Sequence, residues 1–564
     1  MSDLLIGTGP LFLAAEIEAY QPPNGSDAAP GEAHGVLPQG VLSLTSPIVA
    51  DTATVRASDV GYVTRETDAG GLQVYPPILI SGVELDRAMD LSPNGQGAAA
   101  GWGSLRLANE RDALTALALT RNADGRPVRL RIGRKVALSA NGAFLDWRDP
   151  PLADTLPVLS GIAAGWSVDE AELRLALRDP TYWIERPADG ATYGGTGALD
   201  GNAALAGKRK PRLRGGSAAN PVREISPQLV DPVAGIYQIS DAPGAVVALY
   251  ERGLAGGITL NAIVADITGA APPAATYNVE SSARGLFIRL GSFPPAGVIT
   301  VNAWGAFPDS TAPSVAATVA LELLEQDLAV PSGLINTASF AKLAAAAPWA
   351  AGVFLNTDEP LDGVAVVGQL LRSSAGRLVP SRAGQLTAVS LAPVPAGALP
   401  AASFTAAEIV ACTPRPLSPP LSPPPFRMRV GWGRSFTTQT SALAPTLTGA
   451  RIQELAQTWR VAAASSTAVS NAWRRPSDPP LVETSLTNST HAAALAMLLR
   501  DLWCVAGERR LYDVAVPLPL ALARDLGDVV SITFPGPLAS GAVGRIVGEQ
   551  IRTLDDLATF RVLI

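Results

Sequence analysis

Proline and glycine interrupt this chain so often that few of its elements can be long. The 564 residues include 48 prolines and 53 glycines, spread along the whole length. Apolar and polar residues alternate in several of the short segments between them, at 126–133, 171–179, 285–293 and 558–564. Alternation with a period of two residues is typical of strands that bury one face of an antiparallel sheet. The sequence therefore predicts a mainly β protein.

Four later segments carry apolar residues at helical spacing instead, at 312–330, 337–347, 359–376 and 489–507. In the third segment Asp358 is a candidate N-cap, Pro360 suits the first turn, and Gly376 suits the left-handed closing position. Its predicted buried stripe consists of Leu361, Val364, Val367, Leu370 and Leu371. Two short strands then flank a turn at 382–384, so that helix and hairpin form one α+β unit.

Segment 160–179 and segment 543–564 are similar in pattern, as the copies of an internal repeat would be. Each contains a strand, an acidic turn and an alternating strand, with Asp169-Glu170 in the first turn and Asp555-Asp556 in the second. Each also follows another alternating segment. Two copies of a small barrel unit would give this pattern, and so would any two β-hairpins.

Charge and cysteine content argue against several classes of protein. The formal net charge is −7, from 43 Lys and Arg against 50 Asp and Glu, which is unlike the basic footprint of a general nucleic-acid binder. Cys412 and Cys504 are too few for a disulfide scaffold; free thiols are predicted, and one bridge is the alternative. The N terminus lacks the basic region of a secretory signal, and no apolar segment is long enough to span a bilayer.

The residues offer little catalytic chemistry. His34 is predicted in an exposed loop and His491 near a helix start, and the glycines of "GWGSLR" and "GWGRSF" lack the context of a dinucleotide fingerprint. Carboxylates near aromatic side chains are the remaining enzymatic option, in the manner of a glycoside hydrolase, although acidic residues beside prolines usually form turns; these carboxylates are Asp146, Asp149, Asp179 and Glu185. No catalytic, cofactor-binding or metal-binding residue is predicted.

One dense basic cluster stands in "GKRKPRLRG" at 207–215, with Lys208, Arg209, Lys210, Arg212 and Arg214. It lacks the interleaved aromatic residues of a nucleic-acid site. A loop that docks on an acidic neighbour and a solvated loop are the two interpretations.

Several stretches, taken in order, resemble a family of phage and prophage tail proteins. The stretches are "VGYVTRETDAGGLQVYPPILISGVELDRAM" (60–89), "GWGSLRLANERDALTALALTRNADGRPVRLRIG" (101–133), 157–187, 207–215, 236–253 and 509–551, the last with an "LGDVV" step. The helix-plus-hairpin unit at 359–391 is similar to that of tail-tip, or baseplate, hubs of tailed bacteriophages and related gene-transfer particles.

The resemblance implies an α+β, mainly β, multidomain fold of small, pseudo-duplicated antiparallel β-barrels and a helix-containing domain. The expected segments are an N-terminal arm or loop region at 1–55, a first hub β-barrel region at 56–190, a β-rich domain or insertion at 191–310, an α+β domain at 311–425, and a second hub domain with a closing half-barrel at 426–564.

The resemblance also implies a structural, non-enzymatic protein of the virion tail tip, assembled in the host cytoplasm without a cofactor. Three copies would close the tail tube and contact the distal tail ring, fibre or spike proteins and the tape measure protein. DNA would pass only as transient cargo, and the host envelope would be met indirectly. The alternatives are a tail-associated glycan hydrolase and a peripheral receptor- or carbohydrate-binding module.

Overall fold

The structure is a computed structural model that describes residues 9–21, 51–140, 143–185, 191–356, 362–553 and 556–564. It is mainly β, with mostly antiparallel sheets and short helices between them, which confirms the predicted fold class. None of the helices in these ranges is both long enough and apolar enough to cross a membrane.

The N-terminal part builds one large antiparallel sheet with the order β2-β1-β9-β12-β13-β8-β5. Its region contains β1 (Leu11–Gln21), β2 (Asp51–Ser58), β3 (Tyr62–Val63), β4 (Val74–Tyr75), β5 (Leu79–Ser81), β6 (Glu84–Met89), β7 (Ala98–Gly101), β8 (Ser104–Ala108), β9 (Pro127–Arg134), β10 (Val136–Ala140), β11 (Ala143–Arg148), β12 (Leu156–Val168) and β13 (Glu172–Arg178). Strand β1, which the sequence assigned to an N-terminal arm, instead lies inside this sheet between β2 and β9. The apolar residues of "LFLAAEIEAY" pack into its core, because Leu13, Ala15 and Ile17 alternate toward it.

The middle of the chain forms two sheets that share a hydrophobic core. Its strands are β14 (Arg212–Gly215), β15 (Val222–Ile225), β16 (Gln228–Asp231), β17 (Ile236–Ser240), β18 (Gly244–Glu251), β19 (Leu254–Ala255), β20 (Thr259–Ile263), β21 (Thr276–Ser282), β22 (Gly285–Leu290), β23 (Ile299–Gly305), β24 (Gly352–Leu355), β25 (Gly376–Pro380) and β26 (Leu386–Ser390). The last two form a separate hairpin.

The C-terminal sheet has the order β27-β33-β34-β35-β32-β28. The C-terminal strands are β27 (Ala402–Phe404), β28 (Ala411–Arg415), β29 (Arg427–Trp432), β30 (Arg460–Ser465), β31 (Val482–Glu483), β32 (Leu511–Pro517), β33 (Val529–Phe534), β34 (Leu538–Arg552) and β35 (Leu557–Leu563). Strand β6 from the N-terminal part pairs with the last residues of β34, beyond β33 on the same edge. The C-terminal sheet therefore includes a strand from the N-terminal part of the chain, and residues of both large sheets belong to one hydrophobic core.

The similarity between segments 160–179 and 543–564 corresponds to a repeated sheet topology. The order β9-β12-β13-β8 and the order β33-β34-β35-β32 have the same antiparallel neighbours at each step. Each copy has a short helix between its first two strands in the chain, and each has a register shift in the long strand of its hairpin. Two copies of one unit are thus the better interpretation of the sequence pattern.

The α-helices of the described residues are α1 (Thr115–Thr120), α2 (Ala316–Glu322), α3 (Thr337–Ala346), α4 (Gly363–Arg372), α5 (Gly449–Ala456), α6 (Thr467–Ala472), α7 (Ser489–Trp503) and α8 (Leu518–Ala521). A π-helical turn, Leu323–Asp327, extends α2. Helices α2, α3 and α4 enclose a second hydrophobic core with β24, β25 and β26. The four predicted helical segments each contain one of the observed helices.

Helix α4 begins and ends differently from the prediction. Asp358, Pro360 and Leu361 lie outside the described residues, and the observed N-cap is Asp362, whose carboxylate accepts the N–H of Val364 at 2.9 Å. The left-handed residue at the end is Ala375, not Gly376. Gly376 begins β25, where a Cβ would lie 2.6 Å from Leu343, so its small size serves packing rather than capping.

The division into five segments remains a prediction, and the sheets do not respect all of its boundaries. Strands β6 and β7 join the C-terminal sheet, as do β27 and β28. The proline-rich run 413–426 starts within β28, where Pro414 occupies the edge strand of that sheet. An edge strand tolerates proline because one side of its backbone needs no ladder donor.

Candidate assembly interface

The four candidate carboxylates are engaged in local structure. Asp149 pairs with Lys135, with 2.9 Å between the carboxylate oxygen and Nζ, and accepts the N–H of Val63 at 3.0 Å. Asp146 accepts the N–H of the adjacent Trp147 at 2.7 Å. Asp146 therefore has a partner within β11, and Asp149 has its partners directly after that strand.

Asp179 and Glu185 hold one turn rather than a substrate cleft. Asp179 caps the 3₁₀ turn Pro180–Trp183 by accepting the N–H of Thr181 at 2.7 Å, and burial raises the pKa of Asp179. Glu185 accepts the Thr181 hydroxyl at 2.9 Å and pairs with Arg178. Both carboxylates therefore stabilise the exit from β13.

His491 and the cysteines also have structural environments. Nδ1 of His491 accepts the N–H of Ala350 at 3.0 Å, and burial lowers the pKa of His491; His34 lies outside the described residues. Cys412 and Cys504 are free thiols, as predicted. No group of three or more potential metal ligands is present in the ranges that the structure covers.

The basic cluster is partly a buried ion-pair network. Arg214 is completely buried and donates from Nε and Nη2 to both carboxylate oxygens of Asp327, at 2.8 and 2.9 Å. Arg212 donates to Asp241 at 3.0 Å, and Asp241 also pairs with Arg214 at 3.0 Å. Docking on an acidic neighbour is thus the correct interpretation for Arg212 and Arg214. Lys210 remains nearer the surface, 5.5 Å from the centre of the Tyr193 ring.

The hairpin β25–β26 packs between the two large sheets. The predicted turn at 382–384 is present, with Gly384 at φ +78°. The carbonyl of Arg382 accepts the N–H of Ser160 on β12 at 2.7 Å, which attaches the turn to the N-terminal sheet. On its other side Arg382 donates to the carbonyl of Leu522 at 3.1 Å and pairs with Glu549 of β34 at 3.3 Å. The hairpin is therefore a clamp between the two repeated units.

A buried charge cluster stabilises this clamp. Arg87 of β6, completely buried, donates to the carbonyl of Pro380 at 2.7 Å and to Asp525 at 2.7 Å, and it also pairs with Glu549. Sequence reasoning did not single out Arg87, Asp525 or Glu549. Their distance along the chain gives no local signal, since Arg87 and Glu549 are 462 residues apart.

A second hairpin, β10–β11, has no such packing. Every residue of its two strands is exposed except Trp147, which is half-buried. Four large apolar side chains are more than 40 % exposed: Val136, Leu138, Phe144 and Leu145. A two-stranded ribbon gains little stability by itself in water, and an exposed apolar patch marks an interaction surface. The ion pair of Lys135 and Asp149 closes the base of this hairpin, and Lys135 also donates to the carbonyl of Gly61 at 3.0 Å.

The position of β10–β11 distinguishes the two repeated units. In the first unit the hairpin is inserted between β9 and β12, whereas in the second unit a short turn at 535–537 joins β33 to β34 directly. The insertion is thus an addition to one copy and not part of the common sheet. It is the best candidate for a contact that one unit makes and the other does not.

No protein-family model and no curated protein matches the chain. Among solved structures, the chain is similar to the tail protein from Neisseria meningitidis MC58, with 10 % identity and a TM-score of 0.36 over 89 % of this chain and 96 % of that chain. It is similar to the 43 kDa tail protein of prophage MuSo2 from Shewanella oneidensis, with 10 % identity and a TM-score of 0.34 over the same shares. Both are tail proteins. A chain of the virion of a native gene transfer agent particle matches with 15 % identity and a TM-score of 0.17, over 58 % of this chain and 91 % of that chain.

Proposed function

We propose that this protein is a structural component of the tail tip of a phage or phage-derived particle, and that three copies form the hub of the tip. The observation that carries this proposal is the repeated topology of the two large sheets. Two similar sheets per chain would let a threefold ring present six near-equivalent surfaces to a sixfold tail ring. The sequence resemblance to tail-tip hubs points in the same direction.

In this proposal the chain has a mechanical role. The hub closes the tail tube, binds the distal tail ring on one side and fibre or spike proteins on the other, and opens for the tape measure protein and DNA. The carboxylates considered for catalysis already serve turns and ion pairs, which favours a structural role over hydrolysis. The net charge of −7 suits a passage that should not retain phosphates.

The β10–β11 hairpin would supply a contact between neighbouring copies. It is anchored at its base, apolar, and nearly free of charge from Val136 to Leu145. A second copy of the chain offers it a surface that is also weakly charged, and burial of its apolar side chains would stabilise the ring at about 25 cal/mol per Å². Present in only one unit of each chain, the hairpin would give three such contacts in a closed ring.

The native mass of the purified chain tests this proposal. Three copies of 58.1 kDa give about 174 kDa, and we expect that mass by light scattering or native mass spectrometry. The double variant Phe144→Asp/Leu145→Asp should lower the mass to that of a monomer, because charges would be buried in the contact. Val233→Asp, at a side chain that is 94 % exposed, is the matched control and should leave the trimer intact. A trimer that survives the double variant would exclude the hairpin as the contact, and a monomeric parent chain would contradict autonomous ring formation.

A further inference from the structure

A cavity of about 320 Å³ lies where the loop after β26 passes over the end of the C-terminal sheet. The loop contributes residues 391, 392 and 394–398, and the opposite wall is formed by α7, β34 and β35 through Leu502, Val543 and Leu563. Apart from two arginines, the residues that line the cavity are apolar. The volume is at the lower end of the range for sites that hold a small ligand or a few side chains.

Two arginines, Arg509 and Arg545, bring positive charge to this apolar cavity. Arg545 donates to the backbone carbonyls of Gly527 at 3.0 Å and Ala392 at 3.1 Å, and Arg509 donates to the carbonyl of Leu502 at 3.1 Å. Within the described part of the chain, neither guanidinium has a carboxylate within ion-pairing distance. No Asp or Glu is among the residues that line the cavity.

This arrangement differs from the ion-pair clusters at Arg87 and Arg214, each of which has carboxylate partners that compensate its charge. Arg372 and Arg377 are also buried and donate to backbone carbonyls, but the cavity that they line has a volume of only about 10 Å³. At the cavity, burial lowers the pKa of both Arg509 and Arg545, with no acidic group to oppose the effect. A carboxylate that entered the cavity would supply the missing charge, and a guanidinium can hold it through two parallel hydrogen bonds.

The surface beyond the cavity is apolar as well. Val543 is 43 % exposed at the rim, and Leu399, which directly follows the lining residue Ala398, is 92 % exposed. A polypeptide can place a carboxylate in the cavity and neighbouring apolar side chains on this rim, whereas a small carboxylic acid would leave the rim uncovered. We propose that this cavity binds a segment of another protein in which an acidic residue or a C-terminal carboxylate adjoins an apolar side chain. The proposal concerns one chain and holds whether or not three copies assemble.

An array of random ten-residue peptides, probed with the labelled full-length chain, tests the inference. Each peptide is synthesised in two forms, one with Asp, Glu and a free C-terminal carboxylate, and one with Asn and Gln in their places and an amidated C terminus. We expect the bound peptides to carry a carboxylate next to Leu, Ile, Val or Phe, and their amide forms to bind at least about tenfold more weakly. Selection of peptides without a carboxylate, or equal binding of the acid and amide forms, would overturn the proposal.

Two kinds of variant connect the peptides to the cavity. Arg509→Gln/Arg545→Gln removes the positive charge, and Val543→Asp leaves both arginines but places a competing carboxylate at the rim. Both should lose the selected peptides, whereas Arg552→Gln, at an exposed site further along β34, should retain them. Because Arg545 also links two backbone segments, the unfolding temperatures of all variants are compared with that of the parent chain. If the double variant is destabilised, peptide binding by Val543→Asp decides the test. Unchanged binding by Val543→Asp, or octanoate binding in the absence of any peptide binding, would contradict a polypeptide occupant.

Discussion

Arg87 lies on the buried face of its strand, on the same side as Leu85 and Met89. A charged residue in an alternating strand is normally assigned to the solvent face, so the pattern alone places Arg87 on the wrong side. Its burial is compensated by Glu549 and Asp525, which come from the far end of the chain. The sequence contains all three residues, but only the tertiary fold identifies them as partners.

We expect Glu549→Ala to destabilise the protein by about 3–5 kcal/mol, because it leaves the completely buried Arg87 without its closest counter-charge. The free energy of unfolding in urea measures the effect. Asp478→Ala is the control, since it breaks the exposed pair with Arg427 and should change little. Equal effects of the two variants would contradict the role assigned to the buried cluster.

His491 predicts a pH dependence of stability. Burial lowers its pKa in the folded state below the ordinary value of about 6.5, so the unfolded chain binds more protons below that pH. The contribution of His491 to the free energy of unfolding is therefore fully present above pH 6.5. It is lost as the pH falls toward the lowered pKa of the folded state.

Thermal unfolding of the parent chain and of His491→Gln between pH 5 and pH 8 measures this contribution. Gln can still accept the N–H of Ala350 but does not titrate, and the variant should show a shallower decline on the acid side. Identical slopes for the two proteins would show that other groups determine the pH dependence.

At the scale of elements, the alternating and helical patterns located most of the strands and helices correctly. The strand at 127–134, the hairpin turn at 382–384 and the repeat of two hairpins all follow from local sequence signals. The order of strands in the sheets did not follow from local sequence signals. The pairing of β6 with β34, for example, depends on long-range packing that local periodicity does not encode. The exposure of β10–β11 was missed for a similar reason, since "VALSA" and "AFLDW" contain as many apolar residues as a half-buried strand.

The clamp hairpin gives a prediction about Gly384. A Cβ at this position would lie 2.7 Å from the carbonyl oxygen of Ser160, and the backbone has φ +78°. Gly384→Ala should therefore lower the free energy of unfolding by about 1–2 kcal/mol through left-handed backbone strain. The close contact of the new Cβ with Ser160 should lower it further. Gly397 is a matched control, with φ +80° and no atom within 4 Å of an added Cβ, so that Gly397→Ala reports the strain alone.

The difference between the unfolding free energies of the two variants gives the contribution of the close contact between the hairpin and β12. Gly384→Ala should be the more destabilised variant. If both lost the same stability, the turn would not press against Ser160 in solution.

At the scale of the whole molecule, the overall composition predicted the charge of the surface better than the basic cluster at 207–215 did. A weakly charged, net acidic chain is well suited to packing among other proteins, and its strongest basic cluster turned out to be partly internal. The side chains of Arg212 and Arg214 are directed to Asp241 and Asp327 and are not available to phosphates.

We accordingly expect weak association with duplex DNA. In fluorescence anisotropy at 150 mM salt, the dissociation constant should be weaker than about 10⁻⁴ M, the upper end of the range for non-specific DNA binders. Micromolar affinity that decreases steeply with added salt would indicate a basic surface and would contradict a passage that DNA crosses without being held.

The pairing of β6 with β34 has a consequence for biosynthesis. The ribosome makes the two partners more than 460 residues apart, which at about 5–20 residues per second separates them by roughly 20–90 seconds. During that interval one edge of β6 lacks its final neighbour, and an unpaired edge invites aggregation. Strand β6 can pair with β34 only after translation has reached the last strands, so the order of synthesis sets the earliest moment at which a nascent chain becomes competent to assemble.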